Sequence, residues 1–117
     1  MLQGAVIVFV IGALGGLGLA AFVLRGHLAL WPLSILHAIL GATGLVLTAL
    51  VVFGTGEPAP ANAGLALLLL VIAALGGFYL ASYHVRKQPG PKAVVVIHAT
   101  VAVIGVVLLA GGAFRLF

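Results

Sequence analysis

The six charged residues of this chain all lie at or beyond the ends of four long apolar runs, and this restricts what the chain can fold into. Its 117 residues include five basic side chains (Arg25, Arg86, Lys87, Lys92 and Arg115) and a single acid, Glu57. The runs cover residues 2–25, 31–53, 63–85 and 92–115, and each is long enough for a helix to cross a hydrocarbon core, which takes about 20 residues. A water-soluble domain carries roughly 25% charged residues. Here 5% are charged and 65% are hydrophobic. The first run has no basic segment ahead of it and is long for the apolar part of a signal peptide, so it reads as a span. The expected fold is all-α: one transmembrane domain, 1–117, built as an up-down-up-down four-helix bundle with short connections.

Punctuation and charge give boundaries and direction. Pro32 stands near the start of the second run, where a missing N–H costs nothing. Residues 54–62 form a polar, Pro/Gly-rich loop, and residues 86–92 a tight turn. Arg25, Arg86, Lys87 and Lys92 lie after runs one and three, whereas Glu57 and Arg115 lie on the other side. The excess of basic residues puts the first set in the cytoplasm and both termini outside, in a bacterial-type cytoplasmic (inner) membrane. No basic run exceeds Arg86-Lys87, so the charge reads as topology and no nucleic acid is expected as a partner. With no cysteine, disulfides, iron–sulfur ligation and covalent haem attachment are excluded.

The chain also matches itself. A shift of 61 residues aligns repeat units 1–56 and 62–117 without a gap. It sets the Gly12-to-Gly16 segment on Ala73 to Gly77, Arg25 on Arg86, His37 on His98, Gly44 on Gly105 and Phe53 on Phe114. Each unit holds two spans, so both would cross in the same direction. The expectation is a parallel repeat about a two-fold axis along the membrane normal.

Ionisable groups inside a span are expensive and point to function. His37 and His98 are the two that qualify. Each lies about six residues, or about 9 Å, into its helix. In an up-down bundle helices 2 and 4 are diagonal, with axes roughly 13 Å apart if neighbours lie 8–10 Å apart. Imidazoles facing each other across that gap suit a flat macrocycle with iron at its centre better than one small ion. The expected cofactor is one haem b per chain, with His37 and His98 axial to the iron. Gly15, Gly16, Gly76 and Gly77 sit at the same depth on helices 1 and 3. Gly41, Gly44 and Gly105 share the histidine faces and keep them slim. Small residues at such spacing also serve ordinary helix packing. Arg25 and Arg86 are placed to neutralise propionates. His27 and His84 read as solvated interfacial residues, and Trp31, Tyr79 and Tyr83 as interfacial anchors. Ser34, Ser82, Thr43, Thr48 and Thr100 are expected to bond their own helix carbonyls.

One histidine in helix 2 and one in helix 4, about sixty residues apart in a four-helix membrane bundle, resemble the b-type cytochromes. The pattern is similar to the small members of the cytochrome b561 group and to one half of heme A synthase. The resemblance implies bis-histidine haem b on His37 and His98, and haem binding alone carries over from it; electron transfer, with a quinone or another redox protein as partner, is the function expected of such a site. The resemblance covers all four spans as architecture. The second histidine pair of the b561 group has no counterpart here. Leu36 and Ala38 flank His37 where heme A synthase has a glutamate and an arginine, so quinone-linked superoxide chemistry and haem hydroxylation do not carry over. Any turnover would sit at the cytoplasmic haem edge, where Arg25, His27, Arg86 and Lys87 attract an anion. Small multidrug transporters have similar length, but they need a carboxylate in helix 1, which is absent. The alternative is a non-redox membrane subunit, or a copper- or zinc-binding protein, using the same two histidines.

Overall fold

A computed structural model describes all 117 residues as four helices and no strands. They are α1 (Leu2–Leu24), α2 (Trp31–Phe53), α3 (Ala63–Val85) and α4 (Lys92–Ala113). Each is long and apolar enough to cross a membrane. The middle two match their sequence boundaries. The outer two end one and two residues sooner than 25 and 115, because the backbone turns there. Gly26 (φ 77°) takes the left-handed conformation after α1, and the His27 N–H then reaches back to the Phe22 carbonyl. Lys87 (φ 58°) does the same after α3, with Gln88 bonding Tyr83. Arg115 (φ 54°) does so after α4, with Leu116 bonding Gly111. In each case the late turn satisfies carbonyls that the helix end leaves free.

Neighbours in sequence pack as antiparallel pairs, α1 on α2 and α3 on α4. The ring closes through α1 on α4 and a sparser α2–α3 seam, while the backbones of diagonal helices stay apart. The bundle measures 43 × 22 × 19 Å.

Packing is uneven along that length. The core consists of Leu2, Ala5, Val6 and Phe9 of α1, Val51 of α2, Ala66 and Leu70 of α3, and Leu109 of α4. All of these lie at the end that carries the chain termini and the 54–62 loop. Gly44 belongs to this layer, since an added Cβ would stand 2.6 Å from the Phe9 ring. Gly105 is its counterpart, 2.9 Å from Leu70. Their expected service to the histidine face is therefore corrected. They lie too far from the rings, two turns along, and instead admit a large side chain from the neighbouring helix. Beyond Gly12 no residue of α1 is buried, and the half holding Arg25 and Arg86 is packed more loosely, with only Ala29, His84 and Val95 buried. Only 19 residues of the chain are buried, and large apolar side chains such as Leu14, Leu17, Phe53, Leu75 and Phe78 lie on the outside. An apolar surface this continuous is compatible with a lipid environment. Thr43, Thr48, Ser82 and Thr100 do bond their own helix carbonyls.

Gly44→Ala should overpack the closed end and lower stability by about 1–3 kcal/mol. Gly41→Ala, where an added Cβ meets nothing within 4 Å, should leave stability nearly unchanged. Thermal unfolding of the two variants in detergent checks the contrast.

Candidate functional site

The loosely packed half is organised by two imidazoles. His37 is the seventh residue of α2 and His98 the seventh of α4, so they enter the bundle at one depth from diagonal helices. Each is anchored by the helix beside it. His37 Nδ1 lies 2.8 Å from the Gly12 carbonyl oxygen, and His98 Nδ1 lies 2.7 Å from the Ala73 carbonyl oxygen. A carbonyl only accepts, so each Nδ1 carries the proton and donates. In the neutral ring Nε2 is then a lone pair, the form that binds metals. No hydrogen bond engages either Nε2. The ring centres are 6.2 Å apart and the planes meet at 79°.

Glycines let the rings lie against the flanking helices. A Cβ added at Gly16 would stand 2.9 Å from His37 Cε1, and one at Gly77 would stand 3.2 Å from His98 Cε1. Gly76 adds clearance beneath the His98 Cβ, at 3.6 Å. Gly15 departs from expectation, because it faces Leu33 of α2 and not the ring. Gly41 lines neither ring and keeps open space one turn beyond His37. The two carbonyl acceptors escaped the reading of the sequence, since any residue supplies a carbonyl. The signal for them was the repeat itself: Gly12 and Ala73 each precede their histidine by 25 residues. Gly12 also lets α1 approach α2, with its would-be Cβ 3.3 Å from the Leu40 Cβ.

The arginines sit away from the rings. Arg25 and Arg86 cap α1 and α3 with near-identical backbone angles, φ −87° and −81°. Arg86 bonds the Ser82 carbonyl and lies over the Tyr83 ring at 4.5 Å. Neither arginine contacts the histidines, although both stand at the same end of the bundle.

His84 corrects an expectation. It is only 8% exposed, not solvated. Its ring stacks on Trp31 at 4.0 Å, and its Nδ1 is 2.9 Å from Ser34 Oγ. Both partners are at the start of α2, so α3 brings a polar ring into the α2–α3 seam. Ser34 bonds across the seam where its own helix carbonyl was expected. His27 is exposed in the first loop, as its position implied.

No family model matches the chain, and neither a curated protein nor a solved structure matches it.

Nitrogen NMR of the histidines should find the Nδ1–H tautomer at both His37 and His98 at neutral pH. An Nε2–H tautomer at either would contradict the anchoring to Gly12 and Ala73.

Proposed function

We propose that this chain is a multi-pass membrane protein that holds one haem b between α2 and α4 through His37 and His98 and serves in electron transfer. The pair of free Nε2 lone pairs on rings 6.2 Å apart carries this reading. Two imidazoles opposed on one metal, with metal–nitrogen bonds of about 2.0–2.1 Å and about 1.1 Å from nitrogen to ring centre, put those centres about 6.3 Å apart. Such ligation supplies a six-coordinate, low-spin iron whose potential follows its ligands and surroundings.

The residues fit this group in three ways. The tethers to Gly12 and Ala73 fix the tautomer and orient each ring, the usual role of a metal-bound histidine's second nitrogen. Gly16 and Gly77 keep the flanking helix faces thin beside the rings. The surrounding half of the bundle is packed more loosely than the other end, with only Ala29, His84 and Val95 buried there. Arg25 and Arg86 would attract propionates at that end, with Lys87 and Lys92 nearby. Two axial histidines leave no coordination position for a substrate, which favours a carrier over an enzyme. A quinone or another redox protein would exchange electrons at the basic end.

A bare ion remains the competing reading. The expected 13 Å between axes argued against it, but rings that meet at 6.2 Å remove that objection. The donor set limits the choice of ion. No group of three or more metal-binding side chains exists, whereas zinc takes four ligands. A two-coordinate cuprous ion would be satisfied with two imidazoles. The slim faces beside the rings favour the macrocycle.

The units 1–56 and 62–117 are a tandem duplication. It is supported by the recurrence of the histidine tethers, the glycine cradles and the Phe9–Gly44 and Leu70–Gly105 contacts at one 61-residue offset. The membrane is the cytoplasmic membrane, with the basic end inside and the haem nearer that face.

Reduced-minus-oxidised absorbance of the purified protein should show the sharp α band of low-spin haem b in the green. His37→Ala or His98→Ala should each abolish it while the protein stays folded. A colourless protein with one copper per chain would replace this reading with the cuprous one. For topology, cysteine at Gln88 should resist an impermeant maleimide added to intact cells, and cysteine at Thr55 should react. The reverse labelling pattern would overturn the orientation.

A further inference from the structure

The two seams that close the bundle ought to be alike if the repeat were symmetric, yet they differ. The α1–α4 seam is the more extensive, and the α2–α3 seam is the sparser. They also differ in chemistry. The offset that maps His37 on His98 maps His84 on Val23, Ser34 on Val95 and Trp31 on Lys92. One seam therefore has valines where the other has a histidine and a serine. The histidine is the unusual member. It is 8% exposed, its Nε2 is sealed from solvent, and that atom has no hydrogen-bond partner.

This cluster stands between the His37–His98 pair and the basic end. Ser34 precedes His37 by three residues on α2, and His84 follows Gly77 by seven on α3. Each therefore lies on the same face of its helix as the residue it is counted from. A sparser seam whose polar contacts are one hydrogen bond and one ring stack opens more readily than the more extensive α1–α4 seam. An orphaned buried nitrogen lowers the cost of opening further, because water can then satisfy it. We propose that the α2–α3 seam is the lateral portal through which haem reaches and leaves the histidine pair, and that the Trp31–His84–Ser34 contact is the clasp that shuts it. The proposal rests on the haem reading above. It also explains why only one of two equivalent seams is polar. The resident group need cross only one side, and the α1–α4 side stays packed to hold the bundle together.

The chain has no cysteine and a single tryptophan, Trp31, which sits in the clasp. Both facts make the test direct. In the full chain in detergent, the pair Ser34→Cys/His84→Cys is bridged with a short bis-maleimide before haem is added. The pair Val23→Cys/Val95→Cys is bridged as the control across α1–α4. Bridging α2–α3 should slow haem uptake, read by absorbance, at least about tenfold, and the control bridge should leave it within about twofold. Equal rates for the two bridges overturn the portal and leave the haem reading standing. Unbridged protein that takes up no haem overturns the haem reading, and the portal with it. His84→Ala, which removes the ring stack and the Ser34 hydrogen bond without putting a packing valine in their place and keeps both axial ligands, supplies a second arm. It should change Trp31 emission and raise the rate of haem transfer to apomyoglobin by about tenfold, with the absorption spectrum unchanged. A changed Trp31 emission with an unchanged transfer rate overturns the clasp.

Discussion

Everything in the loosely packed half of this bundle depends on one hydrogen bond made twice, from a histidine Nδ1–H to a main-chain carbonyl on the next helix. In an apolar environment an imidazole with no partner is costly, and a mobile one is of little use as a ligand. The Gly12 and Ala73 carbonyls solve both problems at once. They occupy Nδ1 of each ring and leave Nε2 without a hydrogen bond. A helix carbonyl is normally committed to its own ladder, but it has a second lone pair, so each tether is made without unwinding α1 or α3.

The tethers explain the glycines that matter. A ring that reaches a neighbouring helix's carbonyl must lie flat against that helix, and Gly16 and Gly77 are where it lies. A glycine four residues from the acceptor is on the same face, one turn along. Gly44 and Gly105 answer a different demand. They are seven residues beyond the histidines and receive Phe9 and Leu70, so they pack the closed end. The same residue type thus serves two ends of one bundle for two reasons.

Much of this was legible in the sequence. The four helices were, because apolar runs bounded by Arg25, Gly54 and the 86–92 turn leave few other choices. The equal depth of His37 and His98 followed from the 61-residue offset. The ring separation was not legible, because axis spacing says little about how far two side chains reach, and 13 Å between axes became 6.2 Å between rings. The carbonyl partners were hidden because the backbone carries no residue identity. His84 was misread for the opposite reason. Its position at a helix end suggested solvent, and only the approach of Trp31 and Ser34 from α2 buries it. Fine glycine roles escaped for the same cause: Gly41 and Gly44 differ by three residues, yet one meets open space and the other an aromatic ring.

The uneven packing along the bundle makes it a pair of tongs. If the layer around Val51 and Leu109 acts as the hinge, the imidazoles near the tips lie 14 residues from Val51 on α2 and 11 from Leu109 on α4, roughly 17–21 Å along the helices. With an arm of that length, a rotation of about 3° at the hinge moves an imidazole by about 1 Å. The separation of the two imidazoles is therefore set in part by side chains that never touch them. Phe9, Leu70 and the two glycines that receive them set the span of the jaws.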